Sequence, residues 1–273
     1  MSAEARQPLE GRVALITGGA RGQGRSHALT LAKAGADVAI CDIAGPIDTI
    51  EYPLATPGEL AETVSLVEGA GRRCLAAVAD VRDLDAMREF ASRTASELGR
   101  IDVVVGNAGV YSHAPNTWEL TERQWDVMLD VNLSGVWKTC VAAIPHMLDG
   151  DGGAIVLISS VNGLRGVPGV AHYNVAKHGL VGLVRTLAIE LAAHGIRVNA
   201  LHPTAVRTAM VENDVMPRAF ATIEAAGIDL RNLLDVEMLD PSDVSDALLW
   251  LVSPSARHVT GISLPVDAGN LVR

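Results

Sequence analysis

The sequence predicts an α/β domain in which one doubly wound, parallel sheet of about seven strands is covered by helices on both faces. Two observations lead to this fold class. Short apolar runs alternate with segments of helical periodicity from one end of the 273-residue chain to the other. The apolar runs are also hydrophobic on both faces, as strands are when helices cover both sides of a parallel sheet. Right-handed crossovers then wind such a sheet in both directions.

The predicted elements account for most of the chain. The strands are expected at 13–17, 37–42, 74–80, 101–109, 154–160, 196–203 and 262–267. The helices are expected at 24–34, 58–68, 84–98, 126–147, 172–193 and 243–252. No linker rich in proline, glycine or charge divides them, so we expect a single domain over 1–273. Its cofactor half would span roughly 11–110, and its catalytic and substrate half roughly 111–273.

Composition and charge exclude several kinds of partner. Hydrophobic residues make up 49% of the chain, and the formal net charge is −10. Such a charge would repel phosphate backbones and anionic lipids, and no run approaches the roughly 18 apolar residues that span a bilayer. The N-terminal segment lacks the apolar core of a signal peptide. We therefore expect a cytoplasmic protein without nucleic-acid or membrane partners. Cys41, Cys74 and Cys140 lack metal-ligand spacing, so we expect free thiols and no metal.

Two connections are longer than usual for a fold of this kind. The segment 44–57 follows the second strand, and the segment 204–239 follows the sixth. Long loops at the carboxyl ends of strands are where open α/β sheets bind ligands. We expect the second segment to form a substrate lid in which Met210 and Met216 adapt to the substrate. Surface decoration, and ordinary packing of the two methionines, remain the alternatives.

A glycine-rich turn, GGARGQG, connects the first strand to the first helix. Gly18, Gly22 and Gly24 have the spacing that lets a backbone approach a pyrophosphate closely, and Arg21 and Gln23 lie between them. The helix that follows presents the positive end of its dipole to the same place. The turn therefore predicts a dinucleotide-binding site and a Rossmann-type sheet.

The residue that ends the second strand bears on the choice of dinucleotide. The Asp42 carboxylate can accept hydrogen bonds from both adenosine ribose hydroxyls and would repel a 2′-phosphate, which favours NAD over NADP. Arg21 opposes this reading, because a guanidinium in the turn could pair with that phosphate. We favour NAD, since a carboxylate beside a phosphate dianion should outweigh a mobile arginine. A solvated strand end is the alternative for Asp42.

The ends of the third and fourth strands supply further candidates for cofactor contacts. Asp80, followed by Val81, could accept a hydrogen bond from the adenine amino group. Asn107, Ala108 and Gly109 end the fourth strand, where small residues allow a cofactor to approach closely.

The chemical centre is predicted from Tyr173 and Lys177. These residues lie four apart on a predicted helix and therefore share one face. An alcohol loses a proton as its hydride leaves, and a phenol with a pKa of about 10 is a poor base at neutral pH. A neighbouring ammonium and a positive nicotinamide ring would both stabilise the phenolate and lower that pKa. Lys177 could also donate to the nicotinamide ribose.

Two polar residues complete the predicted catalytic group. Ser160, at the end of the fifth strand, could hydrogen-bond the alkoxide or carbonyl oxygen of the substrate. Asn132, within a long helix, could hold a water that relays the proton to bulk solvent. The alternatives are an ordinary strand-end hydroxyl for Ser160 and a side chain that braces a helix kink for Asn132.

In their order along the chain, these residues resemble the short-chain dehydrogenase/reductase family, from Gly11 to Gly269. The resemblance implies that Tyr173 is the catalytic acid/base, that Ser160 orients the substrate, that Lys177 binds ribose and lowers the tyrosine pKa, and that Asn132 supports a water relay. After the sixth strand, Thr208 matches the residue that binds the nicotinamide carboxamide, and Val206 joins the expected cofactor contacts. Thr204 stands where the family has glycine, which leaves the local backbone path open.

A narrower resemblance is to the mycofactocin-associated, carveol-dehydrogenase-like subgroup. It is carried by the turn GGARGQGRSH, by the segment 44–57 and by the tripeptide HPT at 202–204. It implies tightly held NAD beneath a covering insertion, a peptide-derived redox carrier as electron acceptor, and a secondary alcohol substrate such as the terpenoid carveol. It also implies a homotetramer formed through the helices at 126–147 and 172–193 and the C-terminal strand.

Two other functions remain open from the sequence. A freely exchanging, NADP-dependent ketoacyl or ketosteroid reductase is favoured by Arg21 and opposed by Asp42 and by the insertion. A non-catalytic regulator that senses dinucleotides would have no need of the four catalytic-type residues. Four further side chains are candidates to line the substrate pocket, although no pair of them has metal-ligand spacing: His113, Trp118, His172 and His202.

Overall fold

The computed structural model describes residues 7–148 and 150–273. The prediction that the N-terminal segment is not a signal peptide falls largely outside these ranges. The strands are β1 (Val13–Thr17), β2 (Asp37–Asp42), β3 (Cys74–Val78), β4 (Val103–Gly106), β5 (Gly153–Ile158), β6 (Ile196–Pro203) and β7 (Ser263–Val266). The helices are α1 (Gly22–Lys33), α2 (Pro57–Gly69), α3 (Leu84–Leu98), α4 (Glu122–Leu129), α5 (Val136–Leu148), α6 (Ala171–Leu191), α7 (Met216–Ala225) and α8 (Pro241–Val252).

The strands form one parallel sheet in the order β3-β2-β1-β4-β5-β6-β7. The chain moves outward from β1 in one direction up to β3 and then returns to add β4 on the other side. This reversal opens a crevice beyond the carboxyl ends of β1 and β4, where sheets of this class bind ligands. The doubly wound fold predicted from the alternating pattern is confirmed.

Both faces of the central strands are buried, as their unbroken apolar sequences indicate. On β1, Leu15 belongs to the core on the side of α3, α5 and α6, whereas its neighbour Ile16 belongs to the core under α1 and α8. Both side chains are fully buried. Successive residues of a strand point to opposite faces, so each apolar strand holds a helical layer on either side.

The long helix predicted at 126–147 begins earlier and is interrupted. It starts at Glu122 because Thr121 and Gln124 form a capping box, a signal that the sequence-based boundary overlooked. It continues to Leu148 through a π-helical turn at Asp130–Gly135. By length and composition this helix could cross a membrane, but more than half of its most apolar stretch is buried within the fold.

Three predicted strands end two or three residues earlier than expected, and the difference shapes the site. β3 ends at Val78, β4 at Gly106 and β5 at Ile158. The polar residues assigned to the ends of these strands therefore lie in the loops that follow. At β4 the reason is visible, because the backbone N–H of Asn107 leaves the ladder and donates to Thr17 Oγ1 at 3.1 Å.

The two long connections differ in their local structure. The first, which follows β2, contains neither a helix nor a strand up to the start of α2 at Pro57. We call residues 44–56 the insertion. The second contains α7, so the expected lid at 204–239 is partly helical.

One buried carboxylate fixes the start of β4 against β1, at the edge of the sheet opposite the crevice. Asp102 is 2% exposed. Its carboxylate accepts hydrogen bonds from Val13 N at 2.9 Å, Arg12 Nη1 at 2.6 Å and Arg100 Nε at 2.9 Å. Asp102→Asn should lower the free energy of unfolding by about 2 kcal/mol, because charge-assisted hydrogen bonds are lost.

Urea-induced unfolding measures this effect, and Asp85→Asn is the matched control. The Asp85 side chain is 90% exposed and pairs with Arg88 on the surface of α3, so its replacement should change stability by less than about 0.5 kcal/mol. An unchanged unfolding midpoint for Asp102→Asn would show that this carboxylate does not hold the two strands.

Candidate active site

Two open spaces meet at the carboxyl edge of the sheet. The smaller one, which we call the inner cavity, has a volume of about 160 Å³. Twelve of the residues predicted to bind the cofactor line it: Gly18, Arg21, Gly22, Gln23, Gly24, Asp42, Asp80, Val81, Asn107, Ala108, Gly109 and Thr208. Residues far apart in the sequence therefore surround one space at the crevice between β1 and β4.

The glycine turn is packed so tightly that side chains are excluded from it. A Cβ on Gly24 would overlap the carbonyl oxygen of Gly18, and a Cβ on Gly18 would lie 2.9 Å from the Cα of Ala108. Gly18 and Gly22 also have positive φ angles, 67° and 55°. Asn107 Nδ2 holds the turn by donating to the carbonyl oxygens of Thr17 at 2.8 Å and Gly18 at 3.2 Å. The first turn of α1 is thereby presented to the cavity.

The carboxylate of Asp42 is anchored at the wall of the inner cavity. It accepts hydrogen bonds from Ala20 N at 3.1 Å and Ala44 N at 3.2 Å. Burial raises the pKa of Asp42, against these two bonds, which act to lower it. Arg21 is directed to the insertion, where it donates to the carbonyl oxygen of Pro53 and lies 3.5 Å from Glu59 Oε1. The arginine is thus already engaged by other groups.

Asp80 lies at the cavity but has a partner that the sequence reading did not foresee. Arg82 donates to both of its carboxylate oxygens, at 2.6–3.0 Å. Partial burial acts to raise the pKa of Asp80, but the bonds from Arg82 outweigh it and lower that pKa. The carboxylate is therefore held ionised and oriented.

The chemical group predicted from the sequence is brought together beside this cavity. Ser160 follows β5, Tyr173 lies in the first turn of α6, and both residues line one common cleft. Lys177 lies one turn further along α6, with Nζ 5.5 Å from the centre of the Tyr173 ring. Lys177 Nζ donates to the carbonyl oxygen of Ile158 at 2.9 Å. The helical spacing of four thus places ammonium and phenol side by side.

Burial controls the ionisation of both groups. It raises the pKa of Tyr173 to about 12, although the neighbouring Ser160 side chain acts to lower it. It lowers the pKa of Lys177 to about 8. The lowering of the tyrosine pKa by Lys177 together with a positive nicotinamide ring stays a prediction. Removal from water disfavours both charged forms more strongly than their proximity favours them.

Asn132 lies fully buried in the π-helical turn. Its Oδ1 accepts from Val110 N at 3.1 Å, and its Nδ2 donates to the carbonyl oxygens of Val110 at 3.0 Å and Met128 at 3.1 Å. The amide thus ties the interrupted helix to the loop after β4, and its part in a water relay stays a prediction.

The larger space, which we call the outer cleft, has a volume of about 1150 Å³. Its lining includes Ser160, Tyr173 and Tyr111. The lid supplies most of the remaining lining, including Val206, Thr208, Met210, Met216 and Phe220. Gln23, Thr208 and Met210 line both spaces, so the cleft that contains Tyr173 adjoins the inner cavity. Thr204 lies in this wall without a positive φ angle, so the threonine fits the backbone path unstrained.

The four side chains considered for the pocket line neither space, so that expectation was wrong. Trp118 is 82% exposed on the surface. His172 Nε2 forms a hydrogen bond with Ser112 Oγ at 2.8 Å. His202 Nδ1 forms one with the carbonyl oxygen of Ser160 at 2.7 Å. His113 Nε2 lies 3.1 Å from Thr222 Oγ1 of α7. Each histidine thus connects segments that surround the site. The described ranges hold no cluster of potential metal ligands.

Sequence reasoning missed two tyrosines of the site. Tyr52 of the insertion lines the inner cavity, and Tyr111 lines the outer cleft. No local pattern marks either residue, because one lies in an irregular segment and the other in a short loop. The scarcity of tyrosine, three in the whole chain, was the available signal.

One polar atom at the junction of the two spaces has no partner within the part of the chain that is described. Gln23 Oε1 is buried without a hydrogen bond, and its residue lines both the inner cavity and the outer cleft. A buried acceptor of this kind calls for a donor from a bound molecule. Together with the side-chain-free turn and the anchored carboxylates, it fits a dinucleotide.

Comparison with known proteins places this site in a family. The family model described as short chain dehydrogenase matches residues 12–218. The (-)-trans-carveol dehydrogenase of Rhodococcus erythropolis is 46% identical over 275 residues, which cover 97% of this chain and 99% of that protein. A putative short-chain type dehydrogenase/reductase of Mycolicibacterium smegmatis has the same identity and coverage.

Solved structures agree with these sequence matches. The carveol dehydrogenase from Mycobacterium avium, in complex with NAD, is 45% identical with a TM-score of 0.92, covering 98% of this chain and 100% of its own. A short chain dehydrogenase from Mycobacterium paratuberculosis, bound to NAD, is 42% identical with a TM-score of 0.93, covering 97% and 100%. Sequence, fold and the arrangement of the site thus agree, and the chain belongs to the short-chain dehydrogenase family, as a carveol-dehydrogenase-like member.

Proposed function

We propose that this chain oxidises a secondary alcohol with NAD, and that Tyr173 is the acid/base. Family membership and the carveol dehydrogenase relatives bear out the predicted class, an NAD-dependent alcohol oxidoreductase. The observation that carries the mechanism is the grouping of Tyr173 with Ser160 on the lining of the outer cleft and with Lys177, whose Nζ lies 5.5 Å from the centre of the phenol ring.

NAD fits the inner cavity through the residues described above. The glycine turn and the start of α1 would bind the pyrophosphate. Asp42 would accept from the adenosine ribose, Asp80 and Val81 would contact the adenine, and the loop Asn107–Gly109 would lie against the cofactor. Lys177, Val206 and Thr208 would hold the nicotinamide end. When bound, NAD supplies a positively charged ring that accepts the hydride.

The chain's own residues would then manage the proton. The Tyr173 phenolate would take the proton of the substrate hydroxyl, and Ser160 would hold the oxygen on which negative charge develops. Lys177 would orient the ribose and stabilise the phenolate. Asn132 would keep the loop after β4 in place through Val110 and support any proton relay behind Lys177.

The outer cleft supports an apolar alcohol as substrate. Met210, Met216, Phe220 and Ile223 line the lid side, and the methionines allow the wall to adapt to different shapes. A monocyclic terpenoid alcohol such as carveol suits such a cleft. The NADP-dependent reductase is disfavoured by the Asp42 carboxylate and by Arg21, which is already bound to other groups. A regulator without catalytic activity is disfavoured because Ser160, Tyr173 and Lys177 lie together.

The finer features implied by the resemblance belong to the same proposal. The insertion supplies Ile47, Tyr52, Leu54 and Ala55 to the wall of the inner cavity, which supports its role as a cover over the dinucleotide. A covered coenzyme would pass its electrons to a separate acceptor, for which we propose the peptide-derived carrier of the mycofactocin system. We also propose a cytoplasmic homotetramer.

Replacement of Tyr173 by phenylalanine should abolish turnover, by about 10³-fold or more, because the acid/base is lost while the ring remains. The assay is a panel of secondary alcohols including trans-carveol, with an artificial electron acceptor. Nicotinamide retained after exhaustive dialysis, released by denaturation and identified, should match that of the parent protein. Full activity of the phenylalanine variant would refute the mechanism.

Asp42→Ala should weaken the preference for NAD over NADP by about tenfold, because a carboxylate that repels the 2′-phosphate is removed. Fluorescence titration of the nucleotide-stripped protein with each coenzyme measures the ratio. Asp48→Ala, in the insertion but outside the lining of the inner cavity, should leave the ratio as it is. A ratio unchanged in Asp42→Ala would clear this residue of the selective role.

A further inference from the structure

The three tyrosines of the chain, far apart in sequence, form one buried group. Tyr52 Oη accepts a hydrogen bond from the backbone N–H of Tyr111 at 3.1 Å. The Tyr111 ring packs edge-on against that of Tyr173, with centres 5.4 Å apart and planes at 71°. All three residues are less than a tenth exposed. The insertion is therefore linked to the catalytic phenol through a single intermediate residue.

The residues next to Tyr111 make the segment 111–113 a junction. Ser112 Oγ hydrogen-bonds His172 Nε2 at 2.8 Å, directly beside Tyr173 on α6. His113 Nε2 lies at hydrogen-bond distance from Thr222 on α7. Three consecutive residues thus contact the insertion, the catalytic helix and the lid. A shift of this backbone would therefore displace the phenol of Tyr173.

The insertion is itself held in place from outside. Asp48 forms a two-pronged ion pair with Arg123 of α4, with both distances 3.1 Å. Glu51 pairs with Arg218 of α7 at 2.5 Å. Tyr52, next to Glu51, is therefore directed inward from a segment whose outer side is anchored to two helices.

We propose that Tyr52 is a positioning residue for Tyr173 and that it acts through Tyr111, an inference that rests on the proposed role of Tyr173 as acid/base. The Tyr52 hydroxyl satisfies a buried N–H, which must otherwise move to find a partner. Movement of Tyr111 would tilt the ring packed against Tyr173 and change both the direction and the hydration of the phenol. Acid/base transfer tolerates little displacement of the reacting groups.

The test is Tyr52→Phe, which removes the hydroxyl and keeps the ring. The rate of reduction of bound nicotinamide, followed at saturating concentrations of the best alcohol from the panel, should fall about tenfold. The ionisation that governs this rate should also move to lower pH, because a phenol less tightly packed by Tyr111 is better hydrated and its pKa falls. Retained nicotinamide should equal that of the parent.

Asp48→Asn is the matched control, since it loosens the outer side of the same insertion without touching Tyr111. It should keep the parent rate and pH profile. If folded Tyr52→Phe has the same rate and the same pH profile as the parent protein, the inference is overturned. A loss of rate explained wholly by loss of bound nicotinamide would overturn it as well, because Tyr52 would then act on the dinucleotide alone.

A second variant tests the same connection with the Tyr52 hydroxyl intact and applies even if Tyr52→Phe fails to fold. Tyr111→Leu removes the ring that packs against Tyr173 and should lower the rate and move the ionisation in the same direction. When both changes are combined, the rate should be no lower than for Tyr111→Leu alone, because the two residues act in series. The proposal would be overturned if the two replacements lowered the rate independently, so that their effects multiplied in the double variant. It would also be overturned if Tyr111→Leu kept the pH profile of the parent protein.

These results separate the inference from the function beneath it. Parent behaviour of the Tyr52 and Tyr111 variants, together with an inactive Tyr173→Phe, would remove only the positioning role. Activity in Tyr173→Phe would remove the acid/base and, with it, the inference.

Discussion

The burial of Tyr173 and Lys177 at the carboxyl edge of the sheet is the constraint on which the rest of the site depends. Burial raises the pKa of the phenol to about 12 and lowers that of the ammonium to about 8. Both shifts favour the neutral forms, whereas a base for alcohol oxidation must be an anion near neutral pH. A further positive charge is required, and the oxidised nicotinamide ring carries one. The binding site and the chemical site are therefore one electrostatic unit.

The sheet topology produces this unit without any one local segment containing it. β1 delivers the glycine turn, β4 delivers the loop at Asn107–Gly109, and β5 delivers Ser160, all at the same edge because the strands are parallel. The interrupted helix and α6 then cover one face and bring Asn132 and Lys177 to that edge. The insertion closes the space from the far side and reaches the phenol through Tyr111.

Much of this arrangement was predictable from the sequence, because its signals are local. The alternating strands and helices, the glycine turn and the spacing of four between Tyr173 and Lys177 each lie within a short window. The contacts that escaped prediction join distant segments: Tyr52 and Tyr111 are 59 residues apart, and Lys177 Nζ finds the carbonyl oxygen of Ile158. The prediction for the histidines was wrong because a polar side chain near a site can equally hydrogen-bond to a buried neighbour, as His172 does to Ser112 and His202 to the carbonyl oxygen of Ser160.

The central claim is that the charge on the nicotinamide ring ionises Tyr173, and tyrosine NMR tests it most directly. With three tyrosines labelled with ¹³C at Cζ, the Tyr173 signal is assigned by its loss in Tyr173→Phe. In the protein loaded with NAD⁺, this signal should show that the Tyr173 phenol ionises below about pH 10. In the protein loaded with NADH, whose ring is neutral, the phenol should stay neutral up to that pH. An identical titration in both forms would contradict the account.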